Sequence, residues 1–203
     1  MAADSNIVGY YNQDGGGYRV SIPSFVGVNF ANIADTKLVD VIETADLSPY
    51  SDEVQVYDSV AGTYTTYLWD GAEWTDGLNT NDILIEPGKG YVFSTVNDVI
   101  FKGQVIDTPT YQHEVPEGYS MFGSAFPVPL KASKFNFAAV LQAFSDEIQV
   151  YDAVAGVWDS WMWDGTRFTD GANTLPDELA SIGQGILFGN LGSGTTITIT
   201  ETL

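Results

Sequence analysis

"SDEVQVYDSVAGTYTTYLWDG", residues 51–71, returns 94 positions later as "SDEIQVYDAVAGVWDSWMWDG", residues 145–165. Most aligned positions are identical and nearly all others exchange like for like: Val54 for Ile148, Tyr64 for Trp158, Tyr67 for Trp161, Leu68 for Met162, Trp74 for Phe168. One inserted residue later, "GKGYVF" from Gly88 answers "GQGILF" from Gly183, and upstream "GYRVSIPSF" from Gly17 answers "GYSMFGSAF" from Gly118. Agreement on this scale is an internal repeat, which comes before any guess at fold. The reading expects two homologous units of about 95–100 residues, 1–106 and 107–203.

Each unit reads as β structure. "EVQVYD" alternates as a half-buried strand does. "SVAG" (59–62) is a short hairpin loop, and "TYTTYLW" (63–69) is the returning strand, rich in residues that suit a pleated surface. Asp70-Gly71 and Asp164-Gly165 fit two-residue type I′ turns, so a three-stranded meander is expected. Residues 34–47 and 132–144 carry apolar positions at helical spacing: Leu38, Val41 and Ile42, then Phe137, Val140, Leu141 and Phe144. The expected fold class is all-β: two sandwich-like units, each with a meander and one short helix.

Pairing across the first loop places Val54 opposite Tyr67 and Val56 opposite Thr65, and the Asp-Gly turn pairs Tyr67 with Trp74. With period-2 alternation, Val54, Val56, Tyr67, Trp69 and Trp74 share a core face, as do Ile148, Val150, Trp161, Trp163 and Phe168. The opposite face carries Gln55, Tyr57, Tyr64, Thr66 and Leu68, echoed by Gln149, Tyr151, Trp158, Ser160 and Met162. This face has two readings. It is a stacking platform for a sugar ring, with Gln55 or Gln149 bonding hydroxyls, or it is covered by another sheet or by the other unit, its rings acting as cross-strand pairs.

The charge balance sets 7 Lys and Arg against 27 Asp and Glu, a formal −20, which repels nucleic acid and anionic lipid. There is no cysteine for disulfides or thiolate metal sites. No apolar run approaches the ~20 residues that cross a bilayer, so no membrane insertion is expected. His113 stands alone in "TYQHEVPEG" and reads as a linker histidine; no HExxH, P-loop or dinucleotide fingerprint occurs. Asp52/Glu53 and Asp146/Glu147 recur at a strand start and read as a solvated edge. No cofactor is expected: calcium is the one metal the loops could hold, through Asp70, Asp76, Asn79 and Asp82, or Asp164, Asp170, Asn173 and Asp177, but Asp-Gly is also the preferred hairpin turn and no segment has EF-hand spacing.

"SNIVGYYN", "GYRVSIPSF", "DEVQVYD", "WDGAEW", "EPGKGYVF" and "FKGQV" together resemble a β-rich repeat of secreted and surface proteins of bacteria. The resemblance implies export and no catalytic residues; "AADSN" (2–6) fits a mature end left by a cleaved leader. The second unit departs from it, lacking an equivalent of "SNIVGYYN". Two functions follow as expectations. One is a non-enzymatic extracellular or cell-surface structural or adhesive protein whose partners are itself or other surface components, through edges such as "TTITITETL" or "NIVGYYN". The other is a carbohydrate-binding module on the aromatic platform.

Overall fold

The computed structural model describes residues 8–21, 36–81, 83–106, 108–152 and 155–203. The chain is all-β. In the first half the strands are β1 (Val8–Gln13), β2 (Gly17–Ser21), β3 (Glu53–Asp58), β4 (Thr63–Trp69), β5 (Trp74–Thr75), β6 (Thr80–Asn81), β7 (Tyr91–Thr95) and β8 (Val99–Gln104). In the second they are β9 (Thr110–Val115), β10 (Gly118–Phe122), β11 (Leu130–Lys131), β12 (Glu147–Asp152), β13 (Val157–Trp163), β14 (Phe168–Thr169), β15 (Glu178–Ala180), β16 (Ile186–Asn190) and β17 (Ile197–Thr202).

The antiparallel sheet β2-β7-β3-β4-β5-β6 has its counterpart in β10-β16-β12-β13-β14, and β1-β8 has its counterpart in β9-β17. The β3–β4 register is the one the alternation demands, Val54 opposite Tyr67 and Val56 opposite Thr65. The turn after β4 is different from the expectation. Trp69 pairs with Trp74, so residues 70–73 form a four-residue loop. Asp70 causes this: its Oδ1 accepts the N–H groups of Ala72 at 2.8 Å and Glu73 at 2.8 Å, and only Gly71 takes positive φ. Asp164 does the same for Thr166 and Arg167. The expected face survives, because Trp69, Trp74, Trp163 and Phe168 are all buried.

Each larger sheet packs that face against a two-stranded ribbon. Val54, Trp69, Trp74 and Phe93 meet Val99 and Phe101 in one core; Ile148, Trp163, Phe168 and Phe188 meet Val115 and Ile199 in another. The two expected helices are broken. Residues 38–47 hold one helical turn, α1 (Leu38–Val41), then a 3₁₀ turn at Thr44–Asp46; the later segment holds a 3₁₀ turn at Ala132–Lys134, then α2 (Phe137–Val140). Sheet edges stop them: Glu43 N–H donates to Ile100 C=O, and Asn136 N–H to Thr200 C=O. Residues 34 and 35 lie outside the described residues.

Two further expectations are corrected. "TYQHEV" fills in β9–β17 the place that β1 holds in β1–β8, so the second half does have a counterpart of "VGYYNQ". The C-terminal strand is not an open edge: β9 pairs one side, and Asn136 Oδ1 takes the Thr200 N–H on the other at 2.7 Å. The halves meet where Lys89 bridges Phe122, with Gly123 N–H donating to Gly88 C=O at 2.9 Å. Gly88 has φ +76, and a Cβ there would stand 2.2 Å from the His113 ring, so two constraints demand glycine.

Candidate functional site

The aromatic platform residues come together in pairs. Tyr57 lies opposite Tyr64 and Tyr151 opposite Trp158, with ring centroids 4.8 Å and 5.1 Å apart and both pairs tilted at 51°. Tyr57 and Trp158 also pack on a small cluster of Val92, Met121 and Leu187 between the halves. Gln55 donates to Glu53 Oε1 at 3.1 Å and Gln149 to Glu147 Oε1 at 2.9 Å, so an amide N–H of each is already committed. Tyr119 O–H donates to the same Glu147 oxygen at 2.8 Å; burial, then this bond, pushes its hydroxyl up to about 12.

The loop carboxylates turn inward to their own backbones. Asp76 Oδ1 accepts the N–H groups of Leu78 and Asn79, and Asp170 Oδ1 those of Ala172 and Asn173. These bonds hold Asp70, Asp76 and Asp164 below the usual carboxylate range; in Asp170 the Asn173 amide leads and the backbone bonds follow. Asp177 is bonded to Ser133, and Asp82 lies outside the described residues. Among the described residues no three acidic or imidazole side chains gather as a metal site would require.

Asp52 and Asp146 are corrected outright: they are fully buried, not a solvated edge. Asp52 accepts N–H bonds from Ser48 (2.7 Å) and Val96 (2.8 Å). Asp146 accepts them from Gln142 (2.7 Å), Leu191 (2.8 Å) and Gly192 (2.8 Å). Each buried anion is tolerated because backbone donors replace its water.

His113 is likewise no linker. It sits in β9, 6% exposed, with Nε2 3.0 Å from Glu201 Oε2. Glu201 is buried and also accepts from Ser124 O–H and from Ala125 N–H at 2.8 Å. Glu201 thus collects the imidazole, the serine hydroxyl and the Ala125 N–H on one buried carboxyl group. It clamps β9, β17 and the 124–125 segment together. Beside it a cleft of about 330 Å³ opens at the junction of the halves, lined by Tyr57, Glu86, Lys89, Tyr111, His113 and Ser120. The Ser120 hydroxyl there is buried without a hydrogen-bond partner.

Two further aromatics, Tyr50 and Phe144, stand out by their backbone. They occupy equivalent places before the repeated "SDE", and they alone of the described non-glycine residues have positive φ, 59° and 61°. Both rings point outward, 74% and 73% exposed. Their N–H groups are held by Trp69 C=O and Trp163 C=O, each at 2.7 Å. The sequence carries the signal in "YSDE" and "FSDE", an aromatic kept at the same repeat position; Phe144, expected on a helix face, lies in a turn instead. Comparison with family models, with curated proteins and with solved structures gives no match.

Proposed function

We propose that the protein works by surface contact, as an extracellular or cell-surface structural or adhesive module that associates with copies of itself, and not by turnover. The carrying observation is the pair Tyr50 and Phe144. Left-handed backbone costs a non-glycine residue on the order of 1–2 kcal/mol, and a chain that needed only the turn would place Gly there. Spending that strain twice to hold an aromatic ring in solvent supports a role in recognition. Two presented copies raise avidity when both engage. The export implied by the resemblance to bacterial surface repeats belongs to the same reading.

The test is sedimentation across a salt series. Self-association has to overcome the −20 charge, so it strengthens as the Debye length falls from about 30 Å at 0.01 M to about 10 Å at 0.1 M. The double variant Tyr50→Gly/Phe144→Gly stays folded and associates less. A strict monomer at every salt removes the reading. The junction cleft, with tyrosines beside an amide, an imidazole and carboxylates, favours a second reading as a carbohydrate-binding module. Sugar binding on a glycan array, lost on Tyr57→Ala in the cleft wall, would decide for it.

A further inference from the structure

Among the described residues, strand β4 has a partner along the whole of one side and along only part of the other. β3 pairs with it along its whole length, but β5 covers only Leu68 and Trp69. No described strand pairs with the outer edge of residues 63–67. Trp69 N–H donates inward to Asp52 C=O while Asp70 N–H donates outward to Glu73 C=O, so residues of even number present their backbone groups outward. Tyr64 and Thr66 therefore offer an open N–H and C=O each, a ready template for another strand.

We infer that this edge is a contact between two copies of the chain: β4 of one pairs antiparallel with β4 of the other about a two-fold axis at Thr65. The inference rests on the self-association proposed above and adds a strand-pairing surface to the aromatic one at Tyr50 and Phe144. In that register Tyr64 of each copy exchanges both backbone bonds with Thr66 of its partner copy. Thr65 meets its own counterpart in the non-hydrogen-bonded pair, where side chains stand closest. Charge selects this edge. In a chain of 27 acidic residues, 63–67 reads Thr-Tyr-Thr-Thr-Tyr and carries none. Among the described residues the equivalent edge of β13 is open in the same way, since β14 covers only Met162 and Trp163. There the residue at the Thr65 place is Asp159, exposed, and self-pairing would bring two like charges face to face. One edge is permissive and the other guarded, which stops growth at a dimer.

The experiment uses the full chain in sedimentation and in amide exchange at two protein concentrations. Expected is a reversible dimer in which the amides of Tyr64 and Thr66 gain protection with concentration while that of Thr65, already bonded to β3, does not. Thr65→Asp places like charges at the axis and weakens the dimer by up to about fivefold. Thr66→Pro removes only an outward N–H, which an edge strand tolerates, and acts likewise with an unchanged circular dichroism spectrum. Asp159→Thr frees the second edge and yields species larger than a dimer. If both β4 variants dimerise as the parent does, the inference is overturned and self-association stands. If the parent is monomeric at every salt, both fall. An Asp159→Thr protein that halts at a dimer overturns the guarding role.

Discussion

Replacing Asp146 by Ala removes the acceptor of three backbone N–H groups in a fully buried position. A buried donor left unsatisfied costs about 1–3 kcal/mol, and the upper end applies when the lost acceptor was charged. The full sum is not expected, because Leu191 is 41% exposed and its N–H can find water once the loop relaxes. Two donors at full cost and one at partial cost give a loss of about 3–5 kcal/mol, a large share of the ~5–15 kcal/mol that holds a domain together. Asp146→Asn keeps an acceptor for the Leu191 and Gly192 side but turns an N–H₂ toward Gln142, so it falls between. Asp52→Ala loses two donors, those of Ser48 and Val96, and costs less, about 2–3 kcal/mol. Urea unfolding followed by tryptophan fluorescence gives the midpoints. A loss under about 1 kcal/mol for Asp146→Ala, the range of ordinary surface sites, would refute the clamp; so would the reverse order of the two aspartates.

Trp74→Ala empties a core position and costs about 3–5 kcal/mol, whereas Trp74→Phe, matching Phe168 of the other half and deleting an indole N–H that has no partner, costs under about 1 kcal/mol by urea unfolding; equal losses for the two would show the indole is not in the core. Phe144→Gly relieves about 1–2 kcal/mol of left-handed strain, returns about 0.5–1 kcal/mol in chain entropy and gives up little burial, so thermal unfolding should show no loss. A loss above about 1.5 kcal/mol would mean the ring is structural. In alkali, burial raises the hydroxyl of Tyr91, and burial with the Glu147 bond raises that of Tyr119 to about 12. Between the unfolded value of about 10 and that folded value the unfolded chain has released protons the folded one keeps, so stability present below about pH 10 is lost as pH rises. A urea midpoint that holds or climbs over this window would contradict the assignment.

Much of this architecture was legible because its determinants are local. The β3–β4 register follows from alternation and from a four-residue loop ending in Gly62, which takes φ +67. Those pairings alone put Val54, Trp69 and Trp74 on one face, and the repeat carries the same reading to Ile148, Trp163 and Phe168. The open edge of β4 was not legible: that β5 would stop after two residues depends on where Asp70 turns the chain, and Asp-Gly heads a two-residue and a four-residue loop equally well.

Tertiary structure decided everything whose partner lies far along the chain. Asp52 and Asp146 sit beside acidic neighbours at a strand start; the N–H groups of Ser48 and Gln142 are local, but those 44 to 46 residues away complete the buried clamps. The helical spacing at Leu38 is real, but a helix of one turn results because Ile100, from another strand, takes the next N–H. His113 alternates in "TYQHEV" as a strand residue should. Its burial, though, comes with rings from other segments, Phe122 and Phe135, and its polar partner is Glu201, 88 residues later in β17. Periodicity and turn residues act within a few positions and can be read in order; desolvation and its compensation act through space, and they are set only when the sheets close.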